Sequence, residues 1–284
     1  MRRLKDNPLW RELRRSRIAQ ISFFITLLYV LLALVGPALA PYSATEMLTM
    51  PRQAPSGEFW FGTDEIGRDI FSRMLISARV ALTVGFVAVG IGLIAGGIMG
   101  VLAGYFGGWI DAVLMRVVDV LLAFPGILLA LAVITFLGPG LTNTMIAIGI
   151  GGIPGYARLV RGEVLSLLER DYVSAAKALG ANDLRVMVKH LIPLMASSVL
   201  VYSTAQLARA ILAEAGLSYL GHGVQLPNPS WGGMIASGQR FFLSAPFMAI
   251  YPGTAIMVLV FALNLLGDAF RDALNPQLRR AGTK

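Results

Sequence analysis

Few side chains in this chain have the types and spacing to do chemistry. Asp64, Glu65 and Asp69 lie close together, as metal ligands do. Their spacing fits no calcium-loop template, and Arg68 and Arg73 stand beside them to neutralise the charge. The better reading is a capped loop entering a helix at about Asp69. The two histidines, His190 and His222, lie far apart with no evident partner; an isolated histidine is read as a structural hydrogen bonder. No metal site and no catalytic residue are assigned. Phosphate-loop GxxxxGK[ST], HExxH and GxSxG motifs are absent, so the chain is not expected to hydrolyse nucleotide or peptide bonds itself. With no cysteine, thiolate chemistry and disulfides are excluded.

What remains is charge inside apolar runs, which is costly and therefore a pointer to function. Arg116 and Asp119 are spaced i, i+3 and are expected to pair with each other. Arg209 and Glu214 are candidates to line a path or lock a gate. Asp268, Arg271 and Asp272 read as a solvated network at the end of an apolar run.

The elements that must position these groups are membrane spans. The chain is 56% hydrophobic and 14% charged, against about 25% charged in soluble domains. The fold class expected is an all-α integral membrane protein with six transmembrane helices. The first is 18–40, retained rather than cleaved as a signal peptide, because its apolar run exceeds the roughly 7–15 residues of a signal core. The others are about 80–104, 112–137, 141–160, 192–215 and 246–267, each near the roughly 20 residues a bilayer requires.

Positive charge then sets orientation. Segments 1–17, 158–192 and 271–284 hold seventeen Lys/Arg, against five in the alternate segments. That excess predicts both termini on the cytoplasmic side, N-in and C-in. The net charge of +8 is thus used for orientation, and no nucleic acid is expected as a partner. The chain divides into a cytoplasmic segment 1–17, the first span 18–40, an extracytoplasmic segment 41–79, and a core 80–284 with a long cytoplasmic loop at 158–192.

Gly92, Gly96, Gly100 and Gly104 recur at i, i+4, which strips one helix face for close packing. Pro125 and Pro154 are expected to kink the third and fourth spans. The outer segment 216–245 is read as a hairpin or partly re-entrant piece.

The loop 158–192 carries the sharpest pattern. Tyr172, Ala175, Ala176 and Leu179 make a helical apolar stripe, shallow enough for a groove on a partner. Gly180 ends that helix, Asn182 or Asp183 caps the next turn, and Pro193 opens the fifth span.

These residues resemble the permease subunits of ABC importers for peptides and nickel, second-permease type. The family signature is EAA, three residues, Gly, nine residues, then I-x-L-P. Ser174-Ala175-Ala176, Gly180 and Pro193 fall in that register, with Ser174 in place of the acid, His190 of the first aliphatic and Ile192 of the leucine. FGTDEIGRDIFSR (61–73), AGYFGGWIDAVLMRVVDVLLAFP (103–125), LSYLGHGVQLPNPSWGGM (217–234) and NLLGDAFRDALNP (264–276) resemble the same subfamily. The resemblance implies a type I importer permease fold with a cytoplasmic coupling helix, in a bacterial-type inner membrane. It implies as partners a second homologous permease, two ATP-binding subunits, an extracytoplasmic substrate-binding protein and membrane lipid. ATP and Mg would sit on the ATPase subunits, with no cofactor on this chain. The cargo implied is a di- or oligopeptide, with nickel, glutathione or metal chelates as alternatives. A stand-alone secondary transporter would call for inverted repeats and polar groups at the midplane, neither of which the sequence offers. A membrane-embedded enzyme lacks a catalytic constellation.

Overall fold

The computed structural model describes residues 16–274; the terminal segments 1–15 and 275–284, with most of the basic residues counted there for orientation, lie outside them. Among the described residues there are ten α-helices, one π-turn and no β-strand. They are α1 (Arg17–Leu39), α2 (Ile70–Phe106), α3 (Gly108–Leu122), α4 (Gly126–Leu137), α5 (Leu141–Leu168), α6 (Asp171–Ala178), α7 (Asp183–Val186), the π-turn Met187–Leu191, α8 (Ile192–Tyr219), α9 (Trp231–Gln239) and α10 (Phe247–Leu274).

Short polar residues set where these helices begin. Ser16 Oγ accepts from Ala19 N (3.3 Å) at the head of α1. Asp69 Oδ2 accepts from both Ser72 N (2.8 Å) and Ser72 Oγ (2.7 Å) at the head of α2, satisfying donors the helix leaves open. The start of α2 at Ile70 corrects the expected span start near 80. The apolar run marks where the bilayer is, whereas the cap marks where the helix is. At about 1.5 Å per residue α2 is about 55 Å long, well beyond a hydrocarbon core of about 30 Å.

Two expectations about proline resolve differently. Pro125 splits the third span into α3 and α4, which meet at 93°; a ring without an N–H, disfavouring helix in the residue before it, makes that break. Pro154 leaves no break: α5 is continuous from Leu141 to Leu168 around it. The outer segment 216–245 forms no hairpin. Instead α8 runs on to Tyr219, a turn follows, and Ser230 caps the short helix α9 by accepting from Gly233 N (3.2 Å). Trp231 of α9 is buried and its Nε1 donates to Met74 O (3.3 Å), which draws this segment into the bundle.

α2 and α5 form the spine. A Cβ added at Gly96 would lie 2.4 Å from Ile153 O, and one at Gly100 2.6 Å from Ala157 O. At Gly92 and Gly104 it would meet Gly152 (3.3 Å) and Val164 (2.9 Å). Only glycine lets two backbones approach this closely. Both series of numbers rise together, so α2 and α5 run parallel, and the segment 107–140 must return the chain from one end of the bundle to the other. α3 and α4 do so. α8 runs back against α5, with Tyr156 Oη donating to Ser203 Oγ (2.9 Å). α10 runs against α8, its Gly267 facing Thr204, and Tyr29 Oη of α1 donates to Ala255 O of α10 (3.0 Å).

Among the described residues four helical runs are long and apolar enough to cross a membrane: α1, α2, Asp183–Tyr219 and α10. The bent pair α3–α4 makes a fifth if counted as one span. α5 is long enough, but its glycines, polar residues and Arg158 and Arg161 leave it short of that apolarity.

Candidate functional site

The expected docking helix exists as α6, eight residues long. Tyr172 and Leu179 are 41% and 88% exposed; Ser174 and Ala175 are exposed and Ala176 is half-buried. The stripe Tyr172, Ala175, Leu179 therefore faces outward. Gly180 has φ +83°, the left-handed value glycine takes without strain. Ala181 N reaches back to Ala176 O (3.1 Å) and Leu179 N to Ala175 O (3.0 Å), closing the helix. Asn182 Oδ1 then accepts from Arg185 N (2.9 Å) to start α7. Pro193 lies in the first turn of α8. Its ring would crowd the carbonyl four residues back; the π-turn before it widens the helix there, with Ile192 N reaching Met187 O.

Val173 is the residue that sequence reading missed. It is 1% exposed and packs with Val160, Val164, Val186, Leu191 and Met195. It seats α6 on the ends of α5 and α8. A second tether is Tyr105 at the end of α2, whose Oη donates to Asp183 Oδ1 (2.6 Å).

Charged pairs hold α3 against α5. Arg161 donates to both carboxylate oxygens of Asp111, at 2.5 and 2.6 Å. Asp119 accepts from Arg158 Nη2 (2.7 Å). The expected Arg116–Asp119 pair does not form. Arg preceding Asp is the weaker order against the helix dipole, and the guanidinium arriving from α5 takes the acid.

At the other end of the bundle, Asp64 accepts from Ile66 N (3.0 Å), Arg68 N (3.0 Å) and Arg68 Nε (2.6 Å), with Arg73 Nε at 3.5 Å. Arg68 also donates to Glu65 (3.2 Å). These acids organise a loop. His222 Nδ1 lies 3.0 Å from Leu220 O, a local contact, and His190 is half-buried in the π-turn.

Arg209 and Glu214 part company. Glu214 is 1% exposed and accepts from Ser218 Oγ (2.7 Å). Arg209 lines a cavity of about 530 Å³ walled by α2, α4, α5 and α8, with Ala88, Ile127, Gly152 and Tyr156 around it. Asp268, Arg271 and Asp272 are all exposed on α10.

Residues 96–280 match the family described as the inner membrane component of binding-protein-dependent transport systems. Residues 7–55 match the N-terminal transmembrane domain of oligopeptide transport permease C. The chain belongs to the permeases of ABC importers. The dipeptide transport system permease protein of Alkalihalophilus pseudofirmus is 42% identical over 95% of this chain and 90% of its own. The glutathione transport system permease protein of Pectobacterium atrosepticum is 42% identical over the same shares. Among solved structures, the inward-facing MetNI methionine ABC transporter superposes with TM-score 0.59 at 20% identity, over 72% of this chain and 97% of that one. An amino acid ABC transporter gives 0.55 at 18%, over 73% and 94%. At those identities the likeness is one of fold. As an ABC importer permease, the chain offers a membrane bundle with a short exposed helix at one end and a cavity between its helices.

Proposed function

We propose that this permease forms half of the translocation pathway of an ATP-driven importer of short peptides and receives the ATPase stroke through α6. The observation that carries this is the division of labour on α6: Val173 anchors it to the bundle while Tyr172, Ala175 and Leu179 present an uncovered apolar face. A helix rigidly seated on one side and bare on the other suits a groove on a cytosolic ATPase. Closure of two ATPases around ATP would move α6, and α6 would move α5 and α8.

The peptide class rests on the relatives for dipeptide and glutathione, the latter itself a tripeptide thiol. The assembly we infer has this chain, a second homologous permease, two ATPase subunits carrying ATP and Mg, and an extracytoplasmic binding protein docked at the Asp64 end. The chain itself holds no cofactor. Six crossings follow in this reading from the alternating directions of α1, α2, α3–α4, α5, α8 and α10, with α6 and both termini in the cytosol of a bacterial-type cell.

The test is ATP-driven dipeptide uptake by proteoliposomes holding the whole complex. Ala175→Trp should abolish uptake while the permease still inserts and melts as the parent does, and Gly180→Trp should abolish it with a lower melting temperature, because a side chain at φ +83° is strained. Normal uptake in both variants sinks the docking assignment, and uptake by the lone chain driven by an ion gradient sinks the ABC reading.

A further inference from the structure

We propose that Arg209, backed by Gln206 and Tyr202, is a subsite that reads the terminal carboxylate of the peptide in the central cavity; this rests on the peptide-importer reading above. The cavity, about 530 Å³, falls within the range that holds small ligands, roughly 300–1,000 Å³. Its walls are mainly Ala, Gly, Ile and Leu, including Ala88, Ile127, Ala130 and Leu217. Arg209, itself exposed, is the one charged side chain among the described residues of that lining, so its guanidinium is open to an anion entering the cavity.

Among the described residues no carboxylate pairs with Arg209. Glu214, the acid nearest on α8, is buried and turned to Ser218. Asp111 and Asp119 are taken by Arg161 and Arg158. Among the described residues Arg209 makes a long donation from Nη1 to Gln206 Oε1, 3.4 Å, which leaves most of a five-donor fork for a ligand.

The fork is also held ready. Gln206 Nε2 donates to Tyr202 Oη (2.9 Å), which orients the amide oxygen toward Arg209. Tyr202 in turn lies edge-on to Tyr156, ring centres 4.9 Å apart, and its Oη occupies the space where a Cβ on Gly155 would be. Tyr202, Gln206 and Arg209 thus form one polar ladder along α8, with the free guanidinium at its end. A planar carboxylate is the group that matches an arginine fork with two parallel hydrogen bonds.

Such a subsite would let one cavity serve many cargo sequences. Small apolar walls make few demands on side chains, whereas every linear peptide ends in a carboxylate. The subsite reads the chain end and ignores the sequence.

The test is equilibrium binding of alanyl-alanine and alanyl-alanine amide to the purified complex of both permeases and the ATPases, with the binding protein left out. The parent complex should prefer the acid by about tenfold, the worth of a charge-assisted hydrogen bond, and Arg209→Gln should bring that ratio to about one. Arg209→Lys should keep part of the preference, since it keeps the charge without the fork. An unchanged ratio in Arg209→Gln overturns the proposal, as does a parent with no acid preference. An Arg209→Gln complex that separates into single permeases on size exclusion also overturns it, making Arg209 an interface residue. Failure of the peptide-importer reading registers elsewhere, as absent ATP-driven dipeptide uptake by the parent complex.

Discussion

Arg161 of α5 grips Asp111 of α3 through two near-parallel hydrogen bonds of 2.5 and 2.6 Å. The pair is partly shielded, with side chains 34% and 22% exposed. It fixes the first half of the broken third span to the helix that leads into α6.

Asp111→Asn removes the charge and half of that grip. The expected cost is about 1 kcal/mol of stability, toward the upper end for a pair still wet on one side. Arg161→Lys should lose about as much, because an ammonium cannot make the two-pronged contact. Thermal unfolding in detergent reads both, and the double variant should cost less than the sum of the singles.

The glycine seam gives a sharper contrast. Gly96→Ala drives a methyl toward Ile153 O at 2.4 Å, so α2 and α5 must separate, at about 1–3 kcal/mol for an overpacked contact. Gly97, one residue on, has nothing within 4 Å of an added Cβ. Gly97→Ala should be neutral or raise the melting temperature slightly, because alanine is the better helix former.

Opposite faces of α6 should fail in opposite ways. Val173→Ala empties a fully buried site and should lower stability by about 2 kcal/mol, from two lost methyl groups and the void. Leu179→Ser, on a residue 88% exposed, should leave the melting temperature alone and weaken retention of the ATPases on an affinity-tagged permease. If Leu179→Ser lowers stability while the ATPases stay bound, the outward face is wrongly assigned.

At the far end, Asp64→Asn leaves Arg68 and Arg73, both about 5% exposed, facing an amide in place of a carboxylate. Breaking a buried pair in this way costs about 3–5 kcal/mol. The local readout is faster protease cleavage between residues 41 and 69 with the bundle core intact.

What the sequence made legible were features written in a single local code. A cap such as Asp69, a stop such as Gly180 and a four-residue glycine repeat each act within a turn or two of helix, so spacing alone reveals them. Val173 was not legible, since one valine in an eight-residue helix has no periodic partner and its neighbours come from α5, α7 and α8. The partner of Asp119 was missed for a related reason. Sequence offers Arg116 three residues away, whereas the fold delivers Arg158 from another helix. Helix ends were misjudged where hydropathy was the guide, because α2 is about 25 Å longer than the hydrocarbon core of a bilayer.

The contact of α2 with α5 has a mechanical corollary. Where glycine brings backbone onto backbone, no side chain remains to change rotamer and absorb a push. Along the seam from Gly92 to Gly104, about 18 Å, the two helices then behave as one stiff unit, and a tilt of about 5° carried along the roughly 55 Å of α2 would swing its far tip by about 5 Å. That tip is where Asp64, Arg68 and Arg73 knot the loop to the head of α2. In the proposed importer, a nudge of the small helix at one end of the bundle would thereby reach the other end.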